Sequence, residues 1–456
     1  MKYKFVLIIV FFGIGLFAQN GIDCYTIVVG KNASATGSVL VAHNEDDYGD
    51  LIVNLFKVPA NYDTDSLVEL TTGISIPQVK KTFSYVWFET TQQKFGDFFV
   101  NEFGVTICSN ACTSKEKNAE GKIDYDLRIL VAQRAASARQ AVEIAGELVE
   151  KYGYASSGRT YCFADAHEAW LMAVVRGNHW VAQRVPDDKV AIVPNYYTIG
   201  EINFQDSENF LGSADVIDYA ISKYWYNPKS GEPFNFRKAY STNLNLHASW
   251  NIPRHWGGIN LLADKKYGLH ADFPFAFNAK EKVLINKLQN VLSYHYEETD
   301  LETCKALKKN PHNNMTNRIC NPSTKFSVVV ELHNTYPENN TNVIWYAPYN
   351  PCINPYIPIA CSIDSFPAVF QNRKFSETRK YHFDKKSNIY KANPKHAYSV
   401  FYAQNTLINN DYWVKSVSAK KNKKQFEQKF INTFKKNPKG ETSYKLLMEY
   451  YNYSIR

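Results

Sequence analysis

Short apolar runs rich in valine, isoleucine and aromatic residues recur along most of this chain, and they constrain its fold more than any other feature. Cys24–Val29 and Ser38–His43 read as two strands joined by the turn-rich "GKNASATG". "TFSYVWFE" at 82–89 reads as another strand, and "FFVNEFGVTICSNA" at 98–111 as a hairpin turning at Glu102–Gly104. A helix follows: Leu127, Leu130, Val131, Ala138, Val142, Ala145, Leu148 and Val149 recur at helical spacing, with Gly153 placed as its C-cap. Strand-like runs return at "TYCFADAHEAWLMAVV", "HWVAQRV", "KVAIVPNYYTI", "KFSVVVELH" (325–333) and "NVIWYAPY" (342–349). The segment 206–320 is mixed, with helical stretches at 213–224 and 280–296, and the tail beyond about 376 is helical and polar. Strands on both sides of helical segments predict a layered α/β or α+β sandwich.

At 456 residues the chain is long enough for one large domain with additions, or for two or three ordinary ones. A composition 45% hydrophobic and 15% aromatic builds a core and excludes a disordered chain. The net charge of +8 is concentrated late, where Lys420, Lys421, Lys423, Lys424, Lys429, Lys435 and Lys436 stand against Glu427 alone. That cluster reads as the solvated face of a C-terminal helix, and no nucleic-acid module accompanies it. The opening "MKYKFVLIIVFFGIGLFAQ" has a basic start and an apolar stretch too short to span a bilayer comfortably. It reads as a secretory signal at residues 1–19, cleaved after Ala18 or Gln19, and no later segment reads as a membrane helix. The mature protein is therefore expected to be soluble, and secreted or periplasmic, or in a lysosome-like compartment if the source is eukaryotic.

Cysteines stand at 24, 108, 112, 162, 304, 320, 352 and 361. Export permits disulfides, and Cys304–Cys320 and Cys352–Cys361 are the short-loop candidates, although spacing alone fixes no pairing. No zinc spacing stands out: Cys108 and Cys112 have no second pair nearby, and His167-Glu168 has no matching histidine. Neither a metal nor a cofactor is expected.

Cys24 carries the chemistry. A thiol nucleophile needs a base, and a free α-amino group has a pKa of about 7.7–8.0. While Asp23 remains joined to Cys24 that nitrogen is an amide without basicity; cutting the bond creates nucleophile and base in one residue. Residues 20–23 would then be a short propeptide, and the uncut chain inert. A structural cysteine in a strand, or a lipid-anchored one, competes for the same position.

"CYTIVVGKNASATGSVLVAHNEDD" resembles the opening of the C69 family of dipeptidases, members of the N-terminal nucleophile hydrolases. The likeness continues through "NEFGVTICSNA", "DLRILVAQRAASARQAVEIAGELVEKYGY", "DAHEAWLMAVVRGNHWVAQRVPDDKVAIVPNYYTIGE" and "TKFSVVVELHNTYPENNTNVIWYAPYNPCINPYIPI". The resemblance implies an α+β fold: a four-layer αββα sandwich over 24–375, with a mixed insertion around 206–320 and a mostly helical C-terminal extension at 376–456. It implies an exported, self-processing cysteine dipeptidase of broad specificity, acting through a thioester on Cys24. Other implied site residues are Asp46, holding the nucleophile's amine, Asn195 and Asn110 as oxyanion donors, and Arg254 near the thiol. Dipeptides are the implied partners; homo-oligomer formation is left open.

One position departs from the family. Many relatives carry arginine where this chain has His43, and a histidine is expected to hold charge only below about 6.5. Two alternatives remain: an amidase of the penicillin or bile-salt type on the same fold, and a lipid-anchored or secreted binding protein.

Overall fold

The computed structural model describes residues 24–49, 51–305, 307–312, 317–333, 341–384 and 393–456. The expected signal and propeptide lie outside the described residues.

The apolar runs become strands of two antiparallel sheets. Seven strands form the first, in the order Ala276–Asn278, Lys189–Val193, Tyr25–Val29, Val39–Asp46, Thr324–Leu332, Val343–Pro348 and Ile357–Ala360. Eight form the second, in the order Phe210–Gly212, Trp180–Arg184, Ala169–Gly177, Tyr154–Ala164, Thr106–Ala111, Phe98–Asn101, Tyr85–Thr90 and Val53–Val58.

Side chains alternate across a strand, and the second sheet uses both faces. Val86, Phe88, Phe98, Val100, Cys108, Cys162 and Leu171 point into a core shared with the first sheet. Their neighbours Trp87, Phe99, Ile107, Tyr161, Phe163 and Trp170 pack instead against the helices Asp126–Arg134 and Ala138–Tyr152. Each such side chain, fully buried, contributes about 1.5–3 kcal/mol. The strands of the first sheet are buried almost throughout, which explains their continuous apolar runs. Helices Ile252–Leu262, Ile285–Leu292, Tyr412–Lys436 and Gly440–Ser454 pack against this sheet. Phe430, Phe434, Leu446, Leu447 and Tyr450 bring the C-terminal helices into the same core, while Lys420, Lys421, Lys424, Lys429, Lys435 and Lys436 face solvent.

Several local expectations need correction. The single helix after residue 126 is two, because Ser137 starts a second one: its backbone is extended and its hydroxyl accepts from the Gln140 amide at 3.2 Å. The long run at 160–175 is two strands, parted where Asp165 Oδ1 accepts from the His167 and Glu168 amides. The helices expected at 213–224 and 280–296 are the shorter Val216–Ser222 and Ile285–Leu292. The hairpin turn is as read: Gly104 has a φ of 81°, and Asn101 Oδ1 accepts from the Phe103 and Val105 amides. Neither short-loop disulfide forms. Cys304 instead accepts from Arg318 Nη2 at 3.1 Å, and Cys320 and Cys352 lie together.

Candidate active site

Cys24 stands immediately before the central strand Tyr25–Val29. Antiparallel pairing sets Tyr25 opposite Asn44 and Thr26 opposite His43, which brings Cys24 beside Glu45. Cross-strand neighbours share a face, so Cys24, Thr26, His43 and Glu45 form one polar group inside the apolar core.

The protons of this group can be followed from one end to the other. Asn110 Nδ2 donates to the Val193 carbonyl at 3.0 Å, turning its Oδ1 toward Thr26. The Thr26 hydroxyl donates to that oxygen at 2.6 Å, so at 2.8 Å from His43 Nδ1 it can only accept. His43 Nε2 faces Glu45 Oε2 at 2.9 Å. Both imidazole nitrogens therefore meet acceptors, which requires the doubly protonated ring. The Cys24 thiol completes the chain by donating to Glu45 Oε1 at 3.0 Å.

A second set of contacts converges on the Cys24 carbonyl. Arg254, on the helix Ile252–Leu262, donates from Nη1 to the Cys24 oxygen at 3.2 Å. Its Nη2 donates to Asn195 Oδ1 at 2.6 Å and Asn251 Oδ1 at 2.9 Å, and its Nε to the Trp250 carbonyl at 2.7 Å. Asn195 follows the strand Lys189–Val193, and its Nδ2 donates to the Ala111 carbonyl at 3.1 Å. Asn251 grips the Asn195 backbone at both N and O, each at 3.1 Å. The helix reaches the strand because Gly258 lies against Tyr25, where any Cβ would collide with the tyrosine hydroxyl.

Asp46 ends the neighbouring strand. Its carboxylate accepts from Asn321 Nδ2 at 2.7 Å, and its backbone oxygen lies 3.9 Å from the Cys24 sulfur.

Burial, followed by the charges of Glu45, Asp47 and Asp46, holds the Cys24 thiol well above its ordinary pKa. In the uncut chain the sulfur is therefore a neutral thiol. His43 goes the opposite way to the sequence expectation. Burial works against its charge, but Cys108 and Glu45 outweigh it and raise the ring to about 10. The position is cationic through neutral pH, as an arginine would be. Arg159 adds a further buried cation, stacked 3.8 Å from the Phe95 ring; burial works against its charge, but Tyr154, Tyr161, Cys24 and Glu45 raise its pKa. Cys24, His43 and Glu45 are of metal-ligating types, but protons already occupy the contacts between them.

The fold thus gathers Cys24, Asn195 and Arg254 directly, Asn110 through Thr26 and His43, and Asp46 at the strand end. Sequence reading missed Glu45, Thr26 and Asn251. Glu45 was missed because the second strand, read as ending at His43, runs on to Asp46 and carries Glu45 beside Cys24. Asn251 and Asn321 lie in loops without a periodic signal.

Among known proteins, the chain is 29% identical to a probable dipeptidase from Latilactobacillus sakei over 74% of this chain and 73% of that one. It is 27% identical to dipeptidase A of Lactobacillus helveticus, covering 76% and 77% of the two chains. Of solved structures, a variant of conjugated bile acid hydrolase from Clostridium perfringens aligns over 72% of this chain and 89% of that chain at 10% identity. Its TM-score of 0.27 is too low to support a statement about this fold. The profile of peptidase family C69 matches residues 23–411. The chain therefore belongs to peptidase family C69.

Proposed function

We propose that this peptidase is an exported dipeptidase that exposes Cys24 as its N-terminal residue and cleaves dipeptides of broad side-chain composition through a thioester. The observation that carries the reading is the dual grip on Cys24. Glu45 meets its sulfur at 3.0 Å, while Arg254, tied to Asn195, meets its carbonyl at 3.2 Å. The names of the relatives favour dipeptides. The two sheets and their covering helices are read as the αββα sandwich of N-terminal nucleophile hydrolases.

In this reading, cleavage before Cys24 frees an α-amine, and the ordinary pKa of such a group, about 7.7–8.0, suits a base. The amine takes the thiol proton, and the sulfur attacks the dipeptide carbonyl. Asn195 donates to the oxyanion as it forms. The C–N bond breaks, the leaving amine takes the proton back, and the N-terminal amino acid stays on sulfur as a thioester. Water, deprotonated by the same amine, then hydrolyses the thioester and restores the thiol.

Before cleavage Glu45 is the acceptor at the sulfur, and the same contact suits it to take the thiol proton during self-processing. Asp46, braced by Asn321, is assigned to hold the liberated amine.

A panel of dipeptides, N-acyl amino acids and penicillin- or bile-salt-type amides tests the substrate class. Free amino acids are expected from many dipeptides, with negligible turnover of the acyl amides. The reverse pattern would assign the chain to the amidases.

A further inference from the structure

Away from Cys24, four side chains from three loop regions meet: His295, His312, Cys320 and Cys352. All four are buried, at 4%, 5%, 0% and 7% exposure. Their ligand-type atoms lie within 4.8 Å of one another. His312 Nε2 stands 3.1 Å from His295 Nε2, 3.5 Å from Cys320 Sγ and 3.4 Å from Cys352 Sγ. A tetrahedral ion with Zn–N near 2.0–2.1 Å and Zn–S near 2.3 Å has N–N edges of about 3.3 Å and N–S edges of about 3.5 Å. The three edges from His312 lie within about 0.3 Å of these values.

The surroundings orient the rings toward the centre. His295 Nδ1 faces Glu297 Oε1 at 2.9 Å and His312 Nδ1 faces Asn409 Oδ1 at 2.8 Å, both acceptors. Each ring thus carries a proton on Nδ1 and turns its Nε2 toward the other ring, 3.1 Å away. Such outer partners are what metal-bound histidines use to fix their tautomer. Asn350 Nδ2 lies 3.8 Å from the Cys320 sulfur and the Tyr412 hydroxyl 3.9 Å from that of Cys352.

We propose that His295, His312, Cys320 and Cys352 bind one Zn2+ as a structural site. Binding transfers the two thiol protons to solvent, leaving two thiolates and two neutral imidazoles around a dication. The assembly is electrically neutral, which suits a buried position. The site links the segments that carry His295, His312 and Cys320 to the 350–354 turn and the start of the helix Tyr412–Lys436. It also backs the proposed catalytic centre: Asn321, next to Cys320, donates to Asp46 and accepts from Asn350 Nδ2 at 2.7 Å. The sequence offers no zinc signature because the ligands are spread over 58 positions, from 295 to 352, in irregular segments.

Metal analysis of the purified full-length chain tests this. About one zinc per chain is expected, retained in Cys24→Ala and at least tenfold lower in the double variant Cys320→Ser, Cys352→Ser. Should the double variant fail to fold, wild-type protein produced with cobalt gives the answer, since a thiolate-to-cobalt charge-transfer band is expected. Zinc-free wild-type protein, absence of that band, or peptide mapping that finds a Cys320–Cys352 disulfide overturns the proposal. Zinc lost in Cys24→Ala but kept in the double variant overturns it as well.

Discussion

Cys24→Ala is expected to lose dipeptide hydrolysis almost completely, by up to roughly a million-fold in turnover, the scale seen when a covalent nucleophile is removed. Without sulfur no thioester can form, and the remaining groups can only bind and polarise the substrate. The loss should be chemical rather than structural. Glu45 keeps its His43 partner at 2.9 Å when the thiol is gone, and the Arg254 grip on the residue-24 carbonyl involves only backbone at that end. Deleting one buried hydrogen bond costs about 1–3 kcal/mol, and the variant should still unfold cooperatively. Cys24→Ser, which keeps a donor to Glu45, controls for that bond. Steady-state kinetics on a hydrolysed dipeptide, beside thermal unfolding of all three proteins, gives the comparison. Wild-type turnover in Cys24→Ala removes the cysteine from the mechanism.

Asn195→Ala should cost about a hundred- to a thousandfold in kcat with little change in KM, as loss of one oxyanion donor does. The site separates this effect from folding. Asn251 holds the Asn195 backbone at both N and O, so truncating the side chain leaves the main chain anchored. The Arg254 guanidinium keeps Asn251 and Trp250 as acceptors. Replacing Asn251 should show the complementary pattern, with stability falling first, because it clamps the segment without facing the thiol. Parallel losses of kcat and melting temperature in Asn195→Ala would reassign Asn195 to scaffolding.

What can be read from residues alone follows the range of the forces involved. The strands at 25–29, 39–46, 106–111 and 324–332 are legible because both sheets bury valine and isoleucine in unbroken or alternating order. Ser137 escapes notice as a helix start since apolar spacing carries across it; only its own cap hydrogen bond reveals the break. The charge of His43 is hidden because the pKa of a free histidine ignores the fold, in which Cys108 and Glu45 outweigh the cost of burial. Cys320 and Cys352 read as partners of near neighbours in sequence, whereas the fold sets them beside two distant histidines. Long-range meetings of loops leave no local pattern to read.

The proposed catalysis needs a free amine at Cys24, and the most direct test is the N-terminal residue of the purified, active protein, read by Edman degradation or intact mass. The active chain is expected to begin at Cys24 with an unmodified amine. Full activity in protein whose Cys24 nitrogen is still in a peptide bond, or is acylated, contradicts it.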